Sequence, residues 1–104
     1  MKFKNPYWTA KDKIQLLERW IITHSIIYYR LGTNIVSDFV FDSNSNQLVE
    51  LIQQNHVAFR KTKYYKVFKG FDDSTGFELY SKLGQADREY LEQHAEYLVK
   101  HFGR

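Results

Sequence analysis

Residues 9–32 read TAKDKIQLLERWIITHSIIYYRLG, and this stretch decides the fold class. Thr9 carries the hydroxyl of an N-cap, and Asp12 puts a carboxylate in the first turn, where unpaired amides and the helix dipole favour it. Leu17, Ile21, His24, Tyr28 and Leu31 then recur at helical spacing. Leu16, Trp20, Ile22, Ile26, Ile27 and Tyr29 make the same helix apolar around much of its circumference, so it should lie centrally with neighbours on several sides. Gly32 is the expected stop.

Outward from this helix the pattern stays mainly helical. Residues 1–8 hold the only proline, Pro6, followed by Tyr7 and Trp8, and predict an arm whose aromatic rings pack onto the domain. After Thr33-Asn34-Ile35-Val36, Ser37 can cap a second helix, with Asp38 at its positive end and apolar positions at Phe41, Leu48, Leu51 and Ile52. Ser43, Asn44, Ser45 and Asn46 are weak helix formers, so this helix is expected as two pieces, Asp38 to Asp42 and Gln47 to Gln54. From His56 to Lys69 the helical period fades, and Tyr64, Tyr65, Val67 and Phe68 favour a short extended segment. Phe71 to Gly76 reads as a turn, with Ser74 or Thr75 starting a short helix through Leu79 and Leu83 to Gly84. Leu91, His94, Ala95, Leu98 and Phe102 mark a last helix. The fold expectation is mainly α: one domain over 1–104, with about four helices and a short extended segment between the second and third. Its parts are the arm 1–8, a helical part 9–55 and a remainder 56–104.

Bulk composition narrows the function classes. Hydrophobic residues make up 43% of the 104 and aromatics 17%, which is ample for one core and argues against disorder. Without cysteine there is neither a disulfide framework nor a thiolate metal site. Residues 1–5 are polar and basic with no apolar signal segment behind them, and the most apolar run, Trp20 to Tyr29, is interrupted by Thr23, His24 and Ser25. A membrane span is not expected, and a cytoplasmic address fits best. The net charge of +3 is too small to diagnose a nucleic-acid partner by itself. Its distribution says more: Arg60, Lys61, Lys63, Lys66 and Lys69 are interleaved with Tyr64, Tyr65 and Phe68, a pattern that suits either a solvated face or a nucleic-acid or partner surface.

Chemistry-bearing residues are sparse. His94 and His101 are seven apart, wider than the usual helical ligand spacing, so no metal site is expected. His24 reads as a core histidine, because no serine or cysteine nucleophile with a recognisable local signature accompanies it. Phe68 to Phe77 suits a turn or an exposed recognition loop and matches no phosphate-binding loop.

The most specific stretch is Tyr28-Tyr29-Arg30-Leu31-Gly32-Thr33-Asn34-Ile35-Val36-Ser37-Asp38-Phe39-Val40-Phe41-Asp42. It resembles the signature of the small helical domain that opens bacterial NAD-dependent DNA ligases: an aromatic pair ending one helix, a short loop, then Asp-x-x-Tyr-Asp starting the next. The resemblance covers roughly residues 9–55. It implies a helical pair that folds over the nicotinamide mononucleotide half of NAD, with Tyr28 and Tyr29 at the aromatic-pair positions, Asp38 and Asp42 at the acid positions, and Phe41 where the family has tyrosine. Leu48, Leu51 and Ile52 match the helix that follows in the family. Independently of the resemblance, a nicotinamide nucleotide presents a flat cation, ribose hydroxyls and a phosphate, which call for aromatic faces, carboxylates and a donor. Arg30, or a cation from the stretch beginning at Arg60, is the candidate donor.

The chain departs from the family in two ways. Phe41 lacks a hydroxyl, and Tyr29 stands where some members carry histidine. The family's nucleotidyltransferase domain with its Lys-x-Asp-Gly nucleophile, and its oligonucleotide-binding, zinc and helix-hairpin-helix parts, have no counterpart in these residues. Lys69-Gly70-Phe71-Asp72 has similar letters in the wrong order. Ligation is therefore not expected, and no cofactor is required. The expected function is a non-catalytic binding protein on a ligase-like helical scaffold, of the kind a phage or mobile element would recruit to engage a host protein or nucleoprotein. The alternatives are a binder of NAD or nicotinamide mononucleotide, and a nucleic-acid binder using residues 60–69.

Overall fold

A computed structural model of the chain describes residues 1–71 and 77–103. Among the described residues five helices follow one another: α1 (Ala10–Tyr29), α2 (Asp38–Gln54), α3 (His56–Arg60), α4 (Tyr65–Phe68) and α5 (Gln85–Phe102), with a 3-10 turn at Tyr80–Lys82 before the last. No strand occurs among the described residues. The expected turn at 71–76 and the helix start at Ser74 or Thr75 fall mostly on residues 72–76, outside the described ones.

The first helix is built as its sequence dictates. Thr9 Oγ1 accepts from the Asp12 amide at 3.2 Å while Asp12 accepts from the Thr9 amide at 3.0 Å, a reciprocal capping box. Ile14, Leu17, Ile21, Ile22, Ile26 and Ile27 are all buried, and α1 touches α2, α3, α5 and the 3-10 turn. It is the central helix. At its end the amides of Leu31 and Thr33 turn back onto the carbonyls of Ile26 and Ile27, and Gly32 takes φ +68°, the left-handed conformation that glycine adopts without penalty. Tyr28 and Leu31, expected on the apolar series, are instead exposed at this corner.

α2 corrects one expectation: it runs unbroken through Ser43–Asn46. Intrinsic propensity is overridden by tertiary contacts. Asn44 and Ser45 are buried, and the Met1 amino group donates to Asn44 Oδ1 (2.8 Å) and Gln47 Oε1 (2.6 Å), while Gln47 donates back to the Met1 carbonyl. The arm thus pins the weak middle of α2. Of the arm's rings Phe3 packs against the core and meets Trp8 at 6.0 Å between centroids, whereas Tyr7, expected to pack, is 89% exposed.

The second correction concerns residues 56–69, which form the short helices α3 and α4 rather than an extended segment. Phe59, Tyr64, Val67 and Phe68 are buried in the same core as α1, and the adjacent pair Val67 and Phe68 both reach it, three and four residues after Tyr64, because the chain coils. Burial outweighs the β preference of Val and Tyr here. In α5, Leu91 and Ala95 are buried and Leu98 half-buried, whereas Phe102 is exposed. The radius of gyration, 13.3 Å, is close to the ~13 Å of a compact domain of this length.

Candidate functional site

The corner between α1 and α2 encloses a cleft of about 290 Å³. Its walls come from the last turns of α1, the connecting loop and the first turns of α2, so the local signals that shape the corner also shape the cleft. Tyr28, Tyr29, Asp38, Phe41 and Asp42, the five positions singled out in the sequence, all line it. Tyr28 and Tyr29 meet edge to face, with centroids 4.8 Å apart, and Tyr29 meets Phe77 in the same way at 5.2 Å. Phe41 is half-buried against Trp20, at 6.0 Å between centroids. The rings therefore have fixed orientations while both tyrosines keep about half their surface open.

Asp38 and Asp42 lie one turn apart on α2, so both face the same side. The capping duty belongs to Ser37, whose Oγ accepts from the Val40 amide at 3.2 Å. Asp38 adds favourable charge to the first turn, and among the described residues neither Asp38 nor Asp42 is held in an ion pair. Both are exposed at the mouth of the cleft.

Sequence reasoning missed other parts of the wall. Ser25, Ile27, Asn34, Ile35 and Val36 contribute to it, none with a distinctive local signal. His24, read as a core histidine, is indeed buried and stacks on Trp20 at 4.1 Å, yet it also faces the cleft one turn before Tyr28. Burial, and secondarily the nearby His94, lowers its pKa to about 4, so the imidazole is neutral at physiological pH. Ser25 donates its hydroxyl to the Ile21 carbonyl at 2.7 Å and is not paired with His24 as a nucleophile would be.

The candidate phosphate donors lie elsewhere. Arg30 turns towards α5: its Nε sits 2.8 Å from Glu92 Oε1 and its guanidinium stacks 4.0 Å from the Tyr80 ring centroid, while Tyr80 donates its hydroxyl to the same carboxylate. Arg60, Lys61, Lys63, Lys66 and Lys69 are exposed on and around α3 and α4, and none lines the cleft. Tyr64 is buried, which removes it as an exposed stacking platform, and Lys63 pairs with Asp87 at 3.3 Å. His94 lies near His24, whereas His101 stacks on Tyr97; no group of three metal-binding side chains occurs among the described residues. Nor is any helix there long and apolar enough to cross a membrane.

Comparison of the chain with known protein families, with curated proteins and with solved structures found no match.

Proposed function

We propose that this protein is a non-catalytic binding module on a scaffold like the nicotinamide-binding domain of NAD-dependent DNA ligases, and that its corner cleft takes a nicotinamide nucleotide or nucleoside. One observation carries the reading: Tyr28, Tyr29, Asp38, Phe41 and Asp42 converge on one cleft although the chain leaves one helix and enters another between them. Aromatic rings supply faces for a planar cation, and two unpaired carboxylates supply charge for the ring and acceptors for ribose hydroxyls. A volume of about 290 Å³ is at the small end of ligand pockets and suits one nucleoside rather than a whole dinucleotide. The neutral His24 adds no opposing charge. A protein partner rests on the resemblance alone, so the ligand reading is the better supported of the two.

Calorimetry of the whole chain tests this. Nicotinamide mononucleotide should give saturable heat and AMP none, and Asp38→Asn or Asp42→Asn should each weaken binding by about two- to fivefold, as loss of an exposed charge contact does. Silence from folded protein at millimolar nicotinamide nucleotide and nucleoside alike would remove the reading.

A second reading, contact with nucleic-acid backbone, is supported by the segment 55–71, which contains five Lys or Arg and no Asp or Glu. All five cations point outward while Tyr64 and Phe68 anchor the segment from inside. Such a surface would contact phosphates rather than read bases. Gel-shift affinity should then fall steeply with salt, and neutralising Lys66 and Lys69 should flatten that dependence; a salt-insensitive shift would count against it.

A further inference from the structure

The charges in the cleft wall say more about the ligand than its shape does. Two carboxylates line it, Asp38 and Asp42, and among the described residues no lysine or arginine does. Arg30, the nearest cation in sequence, is held by Glu92 and by the Tyr80 ring on the α5 side of the helix. A further source of positive potential is the N-terminus of α2, and it is partly offset. The Val40 amide donates to Ser37 Oγ, and the Asp38 carboxylate stands in the first turn. A cationic ring meets favourable charge in such a cleft. A phosphate tethered to it meets two like charges and no cationic side chain.

From this we propose that the cleft selects the phosphate-free pyridinium nucleoside, nicotinamide riboside, over its nucleotide and dinucleotide. The proposal rests on the cleft being the ligand site, and adds which chemical form occupies it. The riboside carries one positive charge. The mononucleotide carries the same ring and a phosphate of charge near −2 at neutral pH, so its net charge is reversed. Where a protein holds a phosphate with an arginine or lysine, the nucleotide binds the tighter of the two. Here the sign is opposite, and since Asp38 and Asp42 are exposed the preference is moderate and salt-sensitive.

Paired calorimetric titrations of the full chain at pH 7, with nicotinamide riboside and with its mononucleotide, at low and at high salt, test the proposal. At low salt the riboside should bind about two- to fivefold tighter, and the gap should close at high salt as the carboxylates are screened. Asn34→Arg, which adds a cation to the wall at an exposed loop position, should reverse the order without disturbing the helices. A wild-type preference for the mononucleotide overturns this inference and leaves the cleft as the site. No heat from either compound overturns the site reading, and the inference with it. An order that is unchanged by salt and by Asn34→Arg also overturns the inference, because the preference would then not be electrostatic.

Discussion

Glu18 is fully buried in the middle of α1, and the hydrogen bonds around it fix its protonation. Thr62 Oγ1 lies 2.8 Å from the Phe59 carbonyl and 3.1 Å from Glu18 Oε2. A hydroxyl has one proton and a carbonyl only accepts, so Thr62 satisfies both contacts only if Glu18 supplies the second proton. Burial points the same way, raising the acid to about 8. The folded protein keeps this proton up to about pH 8, whereas the unfolded chain releases it near 4.5. The contribution of Glu18 to stability is therefore full below about 4.5 and declines as pH rises towards 8, at ~1.4 kcal/mol per pH unit. Glu18→Gln keeps the shape and a donor and removes the decline. Urea denaturation at pH 5, 6.5 and 8 should show the variant gaining on wild type at each step, and parallel profiles would contradict it. Nothing in the sequence marks Glu18, since its neighbour in the core comes from a residue 44 positions away. The cleft residues were legible because a cap, a glycine and an aromatic pair fall within fifteen consecutive positions.

At the scale of elements, what was legible is what is local. Thr9 with Asp12, Gly32, and Ser37 with Asp38 set the two ends of α1 and the start of α2. What was not legible is set by partners distant in the chain. The middle of α2 is held by Met1, and α3 and α4 coil because Phe59, Tyr64, Val67 and Phe68 reach α1's core. Polar composition at 43–46 and aromatic composition at 64–68 carried the opposite local preference. The corner itself invites a test. A Cβ at Gly32 meets nothing within 4 Å, so Gly32→Ala costs only the left-handed backbone conformation, ~1 kcal/mol. The variant's denaturant midpoint should fall accordingly while circular dichroism stays helical. An unchanged midpoint would mean that the corner does not depend on that backbone state.

The whole molecule joins these parts through one core that draws on α1 to α5, with the arm packed against it. Unfolding should therefore be a single transition, with helical dichroism and the fluorescence of Trp8 and Trp20 changing together; separated curves would mean that the arm and the helices open independently. Its pH profile combines two buried groups of opposite sense. His24, lowered from 6.5 to about 4, contributes fully above pH 6.5 and loses its contribution as pH falls towards 4, and His94 is shifted the same way by partial burial. Between about 4.5 and 6.5 the slopes from Glu18 and His24 offset each other. Above that only the Glu18 decline remains, about 2 kcal/mol by pH 8. A broad acid plateau followed by a fall is the expected shape, and a stability maximum above pH 8 would contradict it. The same packing that buries Glu18 and His24 presents the corner cleft on a rigid pair of helices. An amide-resolved NMR titration of the intact chain with nicotinamide riboside tests that cleft most directly. Saturable shifts clustered over residues 24–42, with the amides of α3 and α4 unmoved, are the predicted result. A spectrum that does not change at millimolar ligand, or changes centred on another face, would contradict it.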